Sequence, residues 1–228
     1  KMNFDDYADS YYKLLKDQEG TFKFFAPDRY YFVKYKVDLL ARIVKTNPKN
    51  ILDYGCGIGL ALPYFLNNFP TSKISATDIS ENSLSLVSKN FPDINVINDN
   101  NLVDNSFDII YCSGVFHHID PKNRNLVLKK LFKCLNKDGF LCVFEHNPYN
   151  PVTRKMVSSC EFDDDAELIT KSNMKELMEI SSFRILEASY TLFFPQIFSK
   201  FKIIESYLGW LPLGGQYFIL GKKQWKGF

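Results

Sequence analysis

Two rhythms alternate along this chain. Short apolar runs bounded by polar turns predict strands, and apolar positions three and four apart predict the helices between them. In residues 1–25, Tyr7, Tyr11, Leu14 and Leu15 fall at helical spacing. From Tyr30 to Val44, the positions Val33, Val37, Leu40, Ala41 and Val44 keep the helical period, and Pro48 closes that stretch. Asn50-Ile51-Leu52-Asp53 then reads as a first strand. Residues 60–69 read as a helix, with Pro63 tolerated in its first turn, where the missing N–H costs nothing. Residues 73–78 read as a second strand, and Ser80 is placed to cap a helix over 81–90. Residues 95–98 give a short third strand.

Phe107-Asp108-Ile109-Ile110-Tyr111-Cys112 is a nearly continuous apolar run that fits a buried fourth strand. Residues 123–135 follow as an amphipathic helix, and Lys137-Asp138-Gly139 turns the chain into a fifth strand over 140–145. The polar stretch from there to Thr170 reads as a long loop, and loops of that length are usually functional. A short helix over 171–181 and strands over 183–194 and 215–222 complete the pattern. Strand and helix in such alternation predict a parallel-sheet α/β fold, here with an antiparallel pair at its end.

Composition agrees. The 228 residues are 46% hydrophobic and 24% charged, the balance of one soluble domain with a sizeable core. A net charge of +2 is too mild for a nucleic-acid binder. No apolar run reaches the roughly 18 residues of a membrane span. No signal-peptide pattern opens the chain. The five cysteines form no CxxC pair, so buried free thiols and a cytoplasmic setting are expected.

The chemistry gathers at Asp53-Tyr54-Gly55-Cys56-Gly57-Ile58-Gly59. Alternate glycines let the backbone take positive φ, bring a ligand against bare main chain, and aim the N–H groups of the next helix at it. The dinucleotide fingerprint is Gly-x-Gly-x-x-Gly, one residue longer. An acid two residues before the first glycine suits a ligand with an ammonium group rather than a pyrophosphate. Asp78 follows at the end of the second strand, where a carboxylate can take a ribose diol.

Over residues 50–145 these motifs resemble the class I (Rossmann-like) S-adenosylmethionine-dependent methyltransferases. The resemblance implies a Rossmann-like sandwich. Its sheet would be mostly parallel and seven-stranded, ending in an antiparallel hairpin, with helices on both faces. It implies one domain: residues 1–48 as a helical lid or edge, 49–145 as the cofactor core, and 146–228 as the acceptor side. It also implies a cofactor set. Asp53 orients the amino-acid end, and Gly55, Cys56, Gly57 and Gly59 line the turn. Asp78 takes the ribose, Ile79 and Asp99 (or Asn98) bracket the adenine, and Ser113 ends the fourth strand near the methyl group. The sequence Leu135-Asn136-Lys137-Asp138-Gly139-Phe140 matches the family's turn before the fifth strand, with Asp138 in place of a glycine.

Three histidines, His117, His118 and His146, fall beyond carboxyl ends of strands, where ligands bind in open α/β sheets. Each is a candidate general base near neutral pH. Taken singly, the plainer reading of His117 or His118 is a structural cap. Glu145 and Asn147 are candidates to face the acceptor, and Tyr11 and Tyr12 to touch it from a lid. The acidic run Glu161, Asp163, Asp164, Asp165 and Glu167 reads as a solvated loop or helix start, with metal binding as the lesser alternative and no metal assigned.

Residues 195–212 are apolar and aromatic with lysines. That stretch fits burial against the domain or a second subunit in a monomer or homodimer. It also fits an amphipathic helix at a membrane or against a lipid-linked acceptor. The implied reaction is methyl transfer to oxygen, nitrogen or carbon of a small molecule, with a sugar or lipid-linked intermediate suggested by the apolar stretch alone. The rival readings are a nicotinamide-dependent oxidoreductase and a non-catalytic partner subunit of the same fold.

Overall fold

The computed structural model describes residues 30–160, 163, 165–194 and 202–224. Tyr11 and Tyr12 lie outside the described residues. The elements are α1 (Tyr30–Ile43), β1 (Asn50–Tyr54), α2 (Leu62–Asn68), β2 (Lys73–Thr77), α3 (Glu81–Asn90), β3 (Asn95–Val96), β4 (Phe107–Ser113), α4 (Pro121–Cys134), β5 (Leu135–His146), α5 (Pro151–Ser158), α6 (Lys171–Ile180), β6 (Phe183–Thr191), α7 (Lys202–Leu208) and β7 (Gln216–Lys223). The seven strands form one sheet in the order β3-β2-β1-β4-β5-β7-β6. It is mostly parallel with an antiparallel end, the Rossmann-like architecture that the alternating pattern predicts.

The chain divides into two compact units, one reaching Leu102 and the other starting at Val103. In the N-terminal unit, β1 pairs parallel with β2 from Asn50↔Lys73 to Tyr54↔Thr77, and β2 pairs parallel with β3. Ile51, Leu52, Ile74 and Ala76 are buried, as expected of strands covered on both faces. Pro63 sits in the first turn of α2, and the Ser80 hydroxyl accepts the Ser83 N–H to cap α3. Both strands therefore end where a helix is about to start.

In the C-terminal unit, β4 pairs parallel with β5, β5 pairs antiparallel with β7, and β7 pairs antiparallel with β6. Side-chain caps start each of the three helices that follow β4, β5 and the loop: Asp120 on α4, Asn150 on α5 and Thr170 on α6. Two boundaries differ from the sequence reading. β5 begins at Leu135 rather than Phe140, and Asp138 takes a positive φ of 64° within it. The stretch to Thr170 is not one loop, because Pro151 and the Asn150 cap start α5 there. Cys56, Cys112, Cys134, Cys142 and Cys160 form no disulfide among the described residues, and the first four are buried. Among the described residues no helix is long and apolar enough to cross a membrane.

Candidate functional site

In the N-terminal unit, β1 carries Asp53 into a buried position, only 2% exposed. Its Oδ2 has no hydrogen-bond partner among the described residues. Burial first, and then the charge of Asp78, push the Asp53 carboxyl up to about 7, while Lys36 pulls the other way. Thr77, at the end of β2, also holds a buried hydroxyl with no partner among the described residues. Buried acceptors without donors are costly, so donor groups of a ligand reaching these two oxygens would relieve that cost.

The turn after β1 is held from both sides. Thr77 O accepts the N–H groups of Gly55 (2.9 Å) and Cys56 (3.0 Å). Asp78 Oδ2 accepts the Gly57 N–H at 2.8 Å, and its Oδ1 accepts the Ser80 N–H at 2.9 Å. Asp78 thus braces the glycine turn.

The glycines divide by task. Gly55, Gly57 and Gly59 take φ of 74°, 52° and 84°. A Cβ on Gly59 would meet Leu62 Cδ1 at 2.8 Å and Phe91 Cε2 at 3.0 Å, so this glycine packs helix on strand. A Cβ on Gly57 would meet no described atom within 4 Å. It is the glycine that opens onto free space, as a cradle for a ligand requires.

Cys56 is buried beside Gly57 O, and burial holds its thiol far above the ordinary range, so it stays uncharged. Ile79, next to Asp78, is 81% exposed. Asn98 accepts the Asn100 N–H and caps the short 3₁₀ turn Asp99–Asn101.

The C-terminal unit holds a buried network of acids and histidines. β4 ends at Ser113, and Gly114 turns at a φ of 70° into a 3₁₀ turn, Phe116–His118. Glu145, near the end of β5, reaches under that turn. Its Oε1 accepts the N–H groups of Val115 (3.0 Å) and Phe116 (2.7 Å), and its Oε2 lies 2.6 Å from His117 Nδ1. Asp163 Oδ1 lies 3.3 Å from His117 Nε2 and 3.4 Å from His118 Nε2. Burial disfavours a charged His117, but Glu145 and Asp163 outweigh it and lift its pKa to about 10. Burial likewise pushes Glu145 and Asp163 up, and the facing imidazolium leaves both below the ordinary range. His118 is held down by burial and by its charged neighbour.

The loop bearing Asp163 is fastened to this turn. Glu167 N–H donates to His117 O at 2.8 Å. Arg124 donates to Ile119 O (2.9 Å) and to Glu167 O (2.7 Å). The His146 ring lies 5.1 Å from that of His117.

Glu145 is buried, and its oxygens are engaged within the protein. Asn147 is 0% exposed, donates to Pro212 O and Gly214 O, and accepts the Tyr149 N–H, so its polar atoms are taken up in structure. Both nitrogens of the buried His117 are engaged, Nδ1 with Glu145 and Nε2 with Asp163. Thr77, Arg124 and the inward turn of Asp163 had no signal in the sequence, because each depends on a long-range approach.

The sheet is Rossmann-like, with a buried acid that has no hydrogen-bond partner among the described residues and a glycine turn that is open at Gly57. Residues 52–141 match the family model described as a methyltransferase domain. The chain is 28% identical over 188 residues to malonyl-[acyl-carrier protein] O-methyltransferase 1 of Ilyobacter polytropus, covering 77% of this chain and 67% of that protein. It is 29% identical over 124 residues to trans-aconitate 2-methyltransferase of Variovorax paradoxus, covering 52% of this chain and 47% of that protein. The chain spans less than half the length of the first curated relatives it matches, 39% and 47%. A crystal structure of an S-adenosylmethionine-dependent methyltransferase from Archaeoglobus fulgidus matches with a TM-score of 0.69 at 19% identity, covering 93% of this chain and all (100%) of that one. Residues 52–141 are thus similar to a methyltransferase domain, and the fold is that of the Archaeoglobus fulgidus structure.

Proposed function

We propose that the protein transfers a methyl group from S-adenosylmethionine to a small-molecule acceptor. The observation that carries this reading is the buried, unpartnered Asp53 Oδ2 beside a glycine turn open at Gly57. In this reading Asp53 takes the cofactor's ammonium group, and Asp78 takes the ribose hydroxyls while bracing the turn. Ile79 offers an exposed apolar face to the adenine, and Asn98 and Asp99 bound the adenine's polar edge. Ser113 ends β4 on the methyl side.

The cofactor supplies an already activated methyl group, so the residues of this chain chiefly align the acceptor and remove its proton where one must leave. His146, half-buried at the end of β5, is the assigned proton acceptor, because His117 and His118 are engaged with Glu145 and Asp163. Two relatives carry names of oxygen- or acid-directed methyltransferases, which supports screening oxygen acceptors first.

The experiment is methyl transfer from labelled cofactor to a panel of small carboxylic acids, alcohols, sugars and amines. Turnover on one class, lost in Asp53→Ala, is the expected result. Turnover unchanged in His146→Ala removes the base assignment, and no turnover across the panel together with no cofactor binding removes the proposal.

A further inference from the structure

We infer that His117, His118 and Asp163 form a binding site for one divalent transition-metal ion of the zinc class. The three donors come from two segments, the 3₁₀ turn after β4 and the loop before α6, and their ligand atoms all lie within 4.8 Å of one another. The two edges to Asp163 have the right size, and the His117–His118 edge lies within 4.8 Å. Ligands about 2.0–2.1 Å from a tetrahedral ion stand about 3.3–3.4 Å apart along each edge. Asp163 Oδ1 lies 3.3 Å from His117 Nε2 and 3.4 Å from His118 Nε2.

The surroundings are those of a metal-bound imidazole. A ligating histidine gives its other ring N–H to a carboxylate, which fixes the tautomer and aims the free nitrogen. Glu145 Oε2 does this at His117 Nδ1, at 2.6 Å, and the second Glu145 oxygen is fixed by two backbone N–H groups. The Glu167 and Arg124 hydrogen bonds hold the Asp163 loop against the same turn. With both imidazoles neutral, Asp163 and Glu145 leave two negative charges around the site, which matches a dication. On binding, the ion takes the His117 Nε2 lone pair and the proton there leaves to solvent, as is general for such sites.

Three protein donors leave a fourth tetrahedral position, the arrangement of sites that bind water or substrate. His118 and Asp163 keep 17% and 13% of their side-chain surface exposed, so the open position lies on their side. That position is open to water or to an oxygen donor of a ligand. The acidic run that read as a solvated charge cluster thus contributes one inward-facing ligand, Asp163.

The test uses the full chain stripped with a chelator and then titrated with Co2+ and with Zn2+, without cofactor or acceptor. The expected result is one equivalent bound per chain, with the intense visible bands of tetrahedral cobalt and no thiolate charge-transfer band. His118→Ala and Asp163→Asn are each expected to weaken binding by about ten-fold or more, with circular dichroism unchanged. Cys160→Ser is expected to bind as the wild type does. Equal binding in wild type and Asp163→Asn, or a thiolate band that disappears in Cys160→Ser, overturns the inference. Cofactor binding is measured separately on the same samples, so a failed metal site and a failed methyl-transfer reading are told apart.

Discussion

Replacing Asp53 by Asn should make the protein's stability respond differently to pH, by an amount the structure sets. Asp53 is buried and its carboxyl is raised from an ordinary 3.8 to about 7. A carboxylate raised on folding keeps its proton in the native state when the unfolded chain has already lost it. Native protein therefore holds more protons between the two values, and stability falls as pH rises through that window. Above about pH 7 the penalty is complete, and below about pH 4 it vanishes. Asn does not titrate, so it removes the slope. Every other group is shared by the two proteins and cancels in the difference.

Between about pH 5 and pH 8 the linkage integral amounts to about two pKa units, or about 2–3 kcal/mol, gained by Asp53→Asn relative to wild type. Any fixed cost of the buried amide is the same at both values and drops out. Urea unfolding of both proteins at the two pH values, without cofactor, measures it. A difference between the proteins that does not change with pH would refute the burial argument for Asp53, and with it the orphaned acid at the heart of the site. The same variant should bind S-adenosylhomocysteine more weakly, since the ammonium loses its carboxylate. Gain of stability with loss of affinity is the signature of a residue kept for its ligand.

The remaining expectations separate packing from binding. Gly59→Ala places a Cβ 2.8 Å from Leu62 Cδ1 at a positive φ, so it should cost about 2–4 kcal/mol of stability in thermal or urea unfolding. Gly57→Ala meets open space and carries only the backbone penalty of about 1–2 kcal/mol, yet should weaken S-adenosylhomocysteine binding by calorimetry because its methyl enters the cradle. If the two variants behave alike in both measurements, the division of labour between the glycines is wrong. Asn147→Ala strips the donors from Pro212 O and Gly214 O and should destabilise by about 2–4 kcal/mol. Cofactor affinity of the folded protein should stay at the wild-type level, and a selective loss of turnover at full stability would instead return Asn147 to the acceptor.

The sequence carried the fold in its periodicities because buried parallel strands and the helices between them have distinct ones. The sheet and helices α1 to α4 fall where residues 30–135 predict, within a few residues. The glycine turn was equally legible, since positive φ at alternate positions leaves few options besides glycine. The two divergences have local causes. Asn150 and Pro151 together start α5 in a polar stretch, and a positive φ at Asp138 lets β5 continue through an apparent turn.

The histidine cluster was only half legible. His117 and His118 stand out by their position after β4, but nothing in their neighbourhood reports that Glu145 lies beneath one and Asp163 across from both. Those approaches are made by pairing of β4 with β5 and by a loop held through Arg124. They place His117 between two carboxylates, an arrangement that depends wholly on tertiary surroundings. Asn147 shows the same limit: a polar residue beyond a strand end points to a ligand in sequence, while in the fold it ties the 147–150 turn to 212–214.

The most direct test of the account is a calorimetric titration of the purified protein with S-adenosylhomocysteine, with NADH as the control. The account predicts saturable binding of S-adenosylhomocysteine, weakened in Gly57→Ala and in Asp53→Asn, and none of NADH. Binding of NADH in place of S-adenosylhomocysteine, or of neither, would contradict it.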